Sequence, residues 1–252
     1  MDGQAPIGVF DSGLGGLSVL REMRKHLPHE AFIYYGDTLH APYGVRPPEE
    51  ILQLSLDAAD QLVQKGIKAL VIACNTATGV SQEALQQRLS IPVIGIQPAL
   101  EAAQNLRRRG EILVLATPAT FKTARYAKLL ERHGNHVIGL PAPGLMEYVE
   151  REELSGPGLD AFLDQLLAPV AGRQIDVVVL GCTHYPFLSA AIAPRFPGAR
   201  LIDDSPRVIT ALREALHARG HVNTQAGQGS LALYSSGGDA AIARMRRLLA
   251  AE

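Results

Sequence analysis

The chain has 252 residues, 47% of them hydrophobic and 19% charged, which excludes intrinsic disorder and allows one large domain or two small ones. A formal net charge of −1 lacks the basic excess that a nucleic-acid partner favours, and two cysteines do not make a disulfide framework. The opening MDGQAPIGVF has no signal-peptide pattern and no uncharged apolar run reaches membrane-spanning length. The expectation is a globular, cytoplasmic protein with neither a nucleic-acid nor a membrane partner.

Along the chain, short β-branched runs alternate with longer helical patterns. IGVF (7–10) reads as a strand, followed by the turn DSGLGG and a helix over LSVLREMRKHLP. AFIYYG (31–36) is a second strand; after the loop GDTLHAPYG comes a helix over EEILQLSLDAADQLVQKG. ALVIA (69–73) leads to Cys74 in ACNTAT, and PVIGI (92–96) follows. The basic run LRRRG, ending at Gly110, reads as a solvated helix end rather than a binding patch. EILVLA (111–116) then leads into TPAT, a helix over TARYAKLLERHG and the strand HVIGL (136–140). DVVVLG (176–181) leads to Cys182 in GCTHYP, and ARLID (199–203) follows. The tail holds a helix, the strand LALYSS (231–236) and a last helix. Uniformly apolar strands alternating with amphipathic helices predict an α/β fold in which mostly parallel sheets are flanked by helices.

The two halves resemble each other. Asp11 and Cys74 stand 63 positions apart, and Thr117 and Cys182 stand 65 apart, each pair bracketing the same strand–helix pattern. A repeat of this length predicts two similar domains related by a pseudo-two-fold. The first comprises 1–97 with 207–252 and carries Cys74; the second comprises 98–206 and carries Cys182.

In open α/β sheets, ligands bind beyond the carboxyl ends of the strands. Asp11, Cys74, Thr117 and Cys182 each fall there, and each is expected to precede a helix whose N-terminal N–H groups favour a carboxylate ligand or a thiolate. If the domains face each other, one thiol lies on either side of a bound molecule, as inversion of a stereocentre requires. A lone cysteine after a strand is usually an inert buried side chain. Two at matching repeat positions, flanked by hydroxyl and amide groups, leave the inert and catalytic readings balanced. No C-x-x-C pair occurs and only His184 lies near either cysteine, so a zinc site is not expected. GLGGLS with Asp37 downstream is a weak dinucleotide pattern, because Ser18 stands where the third glycine belongs.

IGVFDSGLGGLSVLRE, YYGDTLHAPYG, ALVIACNTAT, PVIGIQPAL, VLATPATFKTARY, VVVLGCTHYPFL and LIDDS, in this order, resemble the glutamate racemase family over nearly the whole chain. The resemblance implies two α/β domains with the active site between them, and interconversion of L- and D-glutamate without cofactor or metal, supplying D-glutamate for peptidoglycan. It implies that Cys74 takes the α-proton from the D-enantiomer and Cys182 from the L-enantiomer, assisted by Asp11 and His184. By the same resemblance, Asp11 and Ser12, Tyr43 and Gly44, Asn75 and Thr76, and Thr183 and His184 contact substrate, and Thr120 lies near its carboxylate. Glu150 falls near an acid often found beside the second cysteine. Leu140-Pro141 departs from the family pattern there, so Glu147 and Glu152 stand as alternatives. Two other readings stay open: a racemase of the same mechanism acting on aspartate, and a binding protein for a small acid that performs no chemistry. A homodimer is left open.

An ordinary cysteine ionises near pH 8.5, so forming the thiolate at neutral pH costs roughly 2 kcal/mol. Helix dipoles, hydroxyl donors and a protonated His184 offset such a cost. A charged Asp11 does not, and is expected to act as a hydrogen-bond partner or proton acceptor.

Overall fold

The computed structural model describes residues 3–250. The chain forms two compact units, one running to Ile96 and resuming at Ser205, the other spanning Gln97–Asp204.

The first unit is built on β1 (Ile7–Asp11), β2 (Phe32–Gly36), β3 (Ala69–Ile72) and β4 (Val93–Gly95). The second is built on β5 (Glu111–Ala116), β6 (Val137–Pro141), β7 (Ile175–Leu180) and β8 (Arg200–Ile202). The tail contributes β9 (Leu231–Ser235). Every pairing is parallel, in the orders β4-β3-β1-β2-β9 and β6-β5-β7-β8. Leaving β9 aside, the two sheets repeat one topology, since β1 to β4 occupy the same relative places as β5 to β8.

The apolar runs sort by place in the sheet. β1 and β3 are buried throughout and β5 and β7 nearly so, because helices cover both faces. The edge strands β6 and β9 are only partly buried, and there the sequence mixes in Gly, Pro, Tyr and Ser. Among the described residues, the nine expected strands are the nine observed, each within a residue or two of its expected ends.

The three helices expected over stated stretches are found, each ending one to three residues early. The first stops at His26, with Arg24, Lys25 and His26 in its last turn, where the helix dipole favours cations. The second, Pro48–Val63, begins on a proline with Glu49 and Glu50 in its first turn. The third, Ala124–His133, begins one residue late because Thr123 is its cap, its hydroxyl accepting from Tyr126 N at 3.1 Å. Arg107 ends the helix Leu100–Leu106, and the backbone N–H groups of Arg108 and Gly110 donate to Asp176 ahead of β5. Among the described residues, no helix is long and apolar enough to cross a membrane.

A buried ion pair closes the base of the first sheet. Lys68 is fully buried just before β3, and its ammonium donates to the Glu30 carboxylate, to Gly3 O and to His221 O. The other Glu30 oxygen accepts from Asn223 N at 3.0 Å. One cation thus ties together the start of the described chain, the approach to β2 and the tail before β9.

Candidate active site

In the first unit, the expected residues gather at the carboxyl ends of β1 and β3. Asp11 is the last residue of β1, not one beyond it, and is fully buried. Its Oδ1 accepts from Gly13 N at 2.7 Å. Gly16 makes room for it: a Cβ there would lie 2.7 Å from Asp11 Cβ and 2.9 Å from Ala73 Cβ, so the turn leading into the first helix can close on Asp11 only with glycine at 16.

Cys74 follows β3 by two residues and caps the fourteen-residue helix Asn75–Arg88. Its sulfur accepts from Ala77 N at 3.4 Å and lies 3.3 Å from Ser12 Oγ. A helix N-terminus and a hydroxyl therefore both address this thiol, and both stabilise negative charge. Asn75 and Thr76 occupy the first turn and are buried, and Asn75 Oδ1 has no hydrogen-bond partner among the described residues.

Tyr43 and Gly44 lie in a short 3-10 turn, Tyr43–Val45. The Tyr43 ring packs in one apolar cluster with Phe10 and Cys74, and its hydroxyl donates to Asp37 Oδ2 at 2.7 Å. Burial, that hydrogen bond, and the negative charges of Asp37, Cys74 and Asp11 push its pKa far above the usual phenol range. Tyr43 is thus a neutral group whose one proton is already donated.

In the second unit, Cys182 follows β7 by two residues, as Cys74 follows β3. Gly181 permits the step: its N–H donates to Leu115 O at 2.7 Å, and a Cβ would lie 2.9 Å from that oxygen. Here the helix expected after the cysteine is absent. A 3-10 turn, Tyr185–Leu188, follows instead, with no side-chain cap, because Pro186 and the short helix Ser189–Ile192 break the segment into single turns. Cys182 therefore lacks the dipole that addresses Cys74.

A side-chain relay stands in its place. Cys182 Sγ is 3.6 Å from His184 Nδ1, and His184 Nε2 is 2.8 Å from Glu150 Oε1. His184 is 2% exposed. Burial alone would lower its pKa, but the hydrogen bonds with Cys182 and Glu150 and the negative charges of both raise it well above the ordinary imidazole value. Both partners thus favour the protonated ring.

Of the three candidate acids, Glu150 is the one that meets His184. Glu147 lies one turn earlier on the helix Leu145–Glu150; among the described residues its Oε2 is buried without a hydrogen-bond partner, and burial, then the charges of Cys182 and Glu147, raise the Tyr185 pKa. Glu152 lies past the helix end at φ 62°. Thr183 is buried beside Cys182. Thr120 is buried on the four-residue helix Pro118–Phe121 that follows β5, its hydroxyl 3.0 Å from that of Thr117.

The weak dinucleotide pattern dissolves in the structure. Ser18 Oγ donates to Gly15 O at 2.9 Å within the turn, and both Asp37 oxygens are engaged, by Tyr43 and by His40. Among the described residues, no group of three or more His, Cys, Asp and Glu side chains is arranged to hold a metal ion.

The Asp/Glu/hydantoin racemase family matches residues 7–212. A glutamate racemase of Clostridium perfringens is 42% identical over 250 residues, covering 97% of this chain and 96% of that protein. Among solved structures, a glutamate racemase isoform from Bacillus anthracis superposes with a TM-score of 0.88 at 32% identity, covering 98% of this chain and 95% of that one. A glutamate racemase from Thermus thermophilus, solved with β-chloro-D-alanine, superposes with a TM-score of 0.82 at 35% identity, covering 98% and 94%. With matches of this extent in both sequence and fold, the chain belongs to the Asp/Glu/hydantoin racemase family.

Proposed function

We propose that the protein interconverts L- and D-glutamate with two thiols as its acid–base pair and no cofactor or metal. The observation that carries this reading is the presence of two buried cysteines, outside any disulfide, at equivalent strand ends of a repeated topology, each with its own means of holding negative charge. Cys74 as thiolate takes the α-proton of D-glutamate while the Cys182 thiol protonates the opposite face; from L-glutamate the roles reverse. Asp11 orders the turn below Cys74, and His184 stabilises the Cys182 thiolate as an imidazolium. Ser12, Tyr43, Gly44, Asn75, Thr76, Thr120 and Thr183 hold the substrate. The partnerless Asn75 Oδ1 is a buried acceptor that an ammonium group would satisfy. The protein works in the cytoplasm and its D-glutamate serves peptidoglycan synthesis.

Circular dichroism of purified protein with L- or D-glutamate, without added pyridoxal phosphate and in the presence of EDTA, tests the reading. Both enantiomers should decay to the racemate, while L-aspartate should hold its rotation. An inert protein, or one that needs a metal restored, refutes it.

The relay makes a pH prediction. Glu150→Gln removes one of the influences that raise the His184 pKa, so the imidazolium loses its proton at a lower pH than in the wild type. The imidazolium offsets the cost of a thiolate most where that cost is largest, at neutral pH and below, so abstraction from the L-enantiomer should slow there and recover as the pH rises, its lower limb moving up, while the limb for the D-enantiomer moves less. pH–rate profiles of α-deuterium exchange from each enantiomer measure this. A limb that stays in place shows that Glu150 does not act on the thiol through His184.

A further inference from the structure

We infer that Asp37 is a positioning residue for the Cys74 half of the reaction, acting through the Tyr43 hydroxyl. The inference rests on Cys74 being the base that acts on the D-enantiomer.

Asp37 stands one residue past β2 and is 3% exposed. Its backbone N–H donates to Asp11 O at 2.9 Å, which ties it to the end of β1. Its carboxylate takes the Tyr43 hydroxyl on Oδ2 at 2.7 Å and the half-exposed His40 ring on Oδ1 at 2.8 Å. One buried acid thus joins Asp11, the loop 37–43 and the Tyr43 ring, and that ring packs in the cluster that holds Cys74.

A purely structural role for the tyrosine does not require a carboxylate. Two other buried tyrosines of this chain satisfy their hydroxyls with backbone carbonyls, Tyr34 with Gly13 O at 2.9 Å and Tyr185 with Ala142 O at 3.1 Å. Burying a charged acceptor costs more than using a carbonyl already present. What the carboxylate adds is a short, charge-assisted bond that fixes the ring and the Tyr43-Gly44 turn more tightly than a neutral acceptor does. Nothing in the network belongs to the second unit, so its loss should fall on Cys74 and leave Cys182 nearly untouched.

Racemisation cannot reveal such one-sidedness, because an equilibrium constant of one forces kcat/KM to be equal in both directions. A half-reaction can. From β-chloroalanine, a thiolate takes the α-proton, the C–H electron pair forms the new double bond and chloride leaves. The resulting 2-aminoacrylate hydrolyses to pyruvate and ammonium, and the thiol returns its proton to solvent, with no reprotonation on the other face.

Pyruvate release from β-chloro-D-alanine and β-chloro-L-alanine is measured for the wild type, Asp37→Asn, Tyr43→Phe and the double variant, with thermal unfolding of each. Asp37→Asn should slow elimination from the D-form about tenfold, the scale of one hydrogen bond to a charged group, and from the L-form by less than about twofold. Tyr43→Phe, which cuts the same bond and keeps the ring, should show the same excess loss from the D-form, over and above any loss common to both enantiomers from its contact with substrate, and the double variant should be no worse than the more damaging single. Equal losses from both enantiomers, or losses that multiply in the double variant, overturn the inference. If Asp37→Asn does not fold, Tyr43→Phe alone decides by the same asymmetry. A wild type that neither racemises glutamate nor eliminates chloride refutes the proposed function instead, which keeps the two failures apart.

Discussion

Cys74→Ser and Cys182→Ser should each lower glutamate racemisation in both directions by about a hundredfold to ten-thousandfold, the usual weight of one acid–base group. A serine hydroxyl barely ionises at neutral pH, and every turnover needs both groups. Elimination from β-chloroalanine needs only one. Cys74→Ser should retain it from the L-form, where Cys182 is the base, and Cys182→Ser from the D-form. The environments make the expectation sharper than a symmetric pair would allow. Cys74 is addressed by a backbone N–H and Ser12, Cys182 by an imidazolium. A serine at 182 takes from His184 a partner able to ionise during the reaction, whereas a serine at 74 is an ordinary helix cap. Cys182→Ser should therefore disturb the local charge balance more. Loss of both enantiomers in both variants, with binding intact, would defeat the division of labour; near-normal racemisation in both would make the thiols structural.

The largest expected loss of stability lies far from the thiols. Lys68→Ala strands the Glu30 carboxylate, 4% exposed, without its cation. Breaking a buried pair by removing one partner costs about 3–5 kcal/mol, since the remaining charge can be neither solvated nor matched. For a chain of this size that is a fall in Tm of roughly 10 °C. Pairing the change with Glu30→Leu should recover part of it, because the stranded charge goes while Gly3 O, His221 O and Asn223 N stay without these partners. Thermal unfolding of the two variants decides. A single variant within about 1 kcal/mol of wild type would show that solvent reaches Glu30 after all. Racemisation by folded Lys68→Ala should stay near wild type, because Lys68 sits at the amino end of β3 and Cys74 beyond its carboxyl end.

The strands were legible because burial on both faces leaves no room for polar residues: ALVI in β3 and VVVL in β7 admit few other readings. Helix bodies were legible too, while their ends depended on single residues such as Thr123. Within the site, strand ends and repeat spacing marked Asp11, Cys74, Thr117 and Cys182, since these follow from local order. Contacts between distant segments were not legible. Glu147, Glu150 and Glu152 lie within six positions, and only the fold shows which one reaches His184, 34 residues on. Helix formation after Cys182 was misread because the proline in CTHYP did not outweigh the parallel with Cys74. Asp37 was noticed for a nucleotide it does not suit, although its true partner, Tyr43, stood six residues away in the same loop. Lys68 raised no signal at all: a lysine before an apolar run looks like the solvated start of a strand.

Because β9 completes the first sheet, synthesis of the chain and assembly of its two units run out of step. Gln97–Asp204 leaves the ribosome as one continuous stretch, with every strand of its sheet already made. The first unit begins earlier and ends later. Until translation passes Ser235, the outer side of β2 has no partner, and until Asn223 emerges, one Glu30 oxygen lacks its donor. A nascent chain therefore carries an open parallel edge while the whole second unit is made, the kind of edge that recruits a second chain. A strand made only after the whole second unit thus shields the half of the protein carrying Cys74.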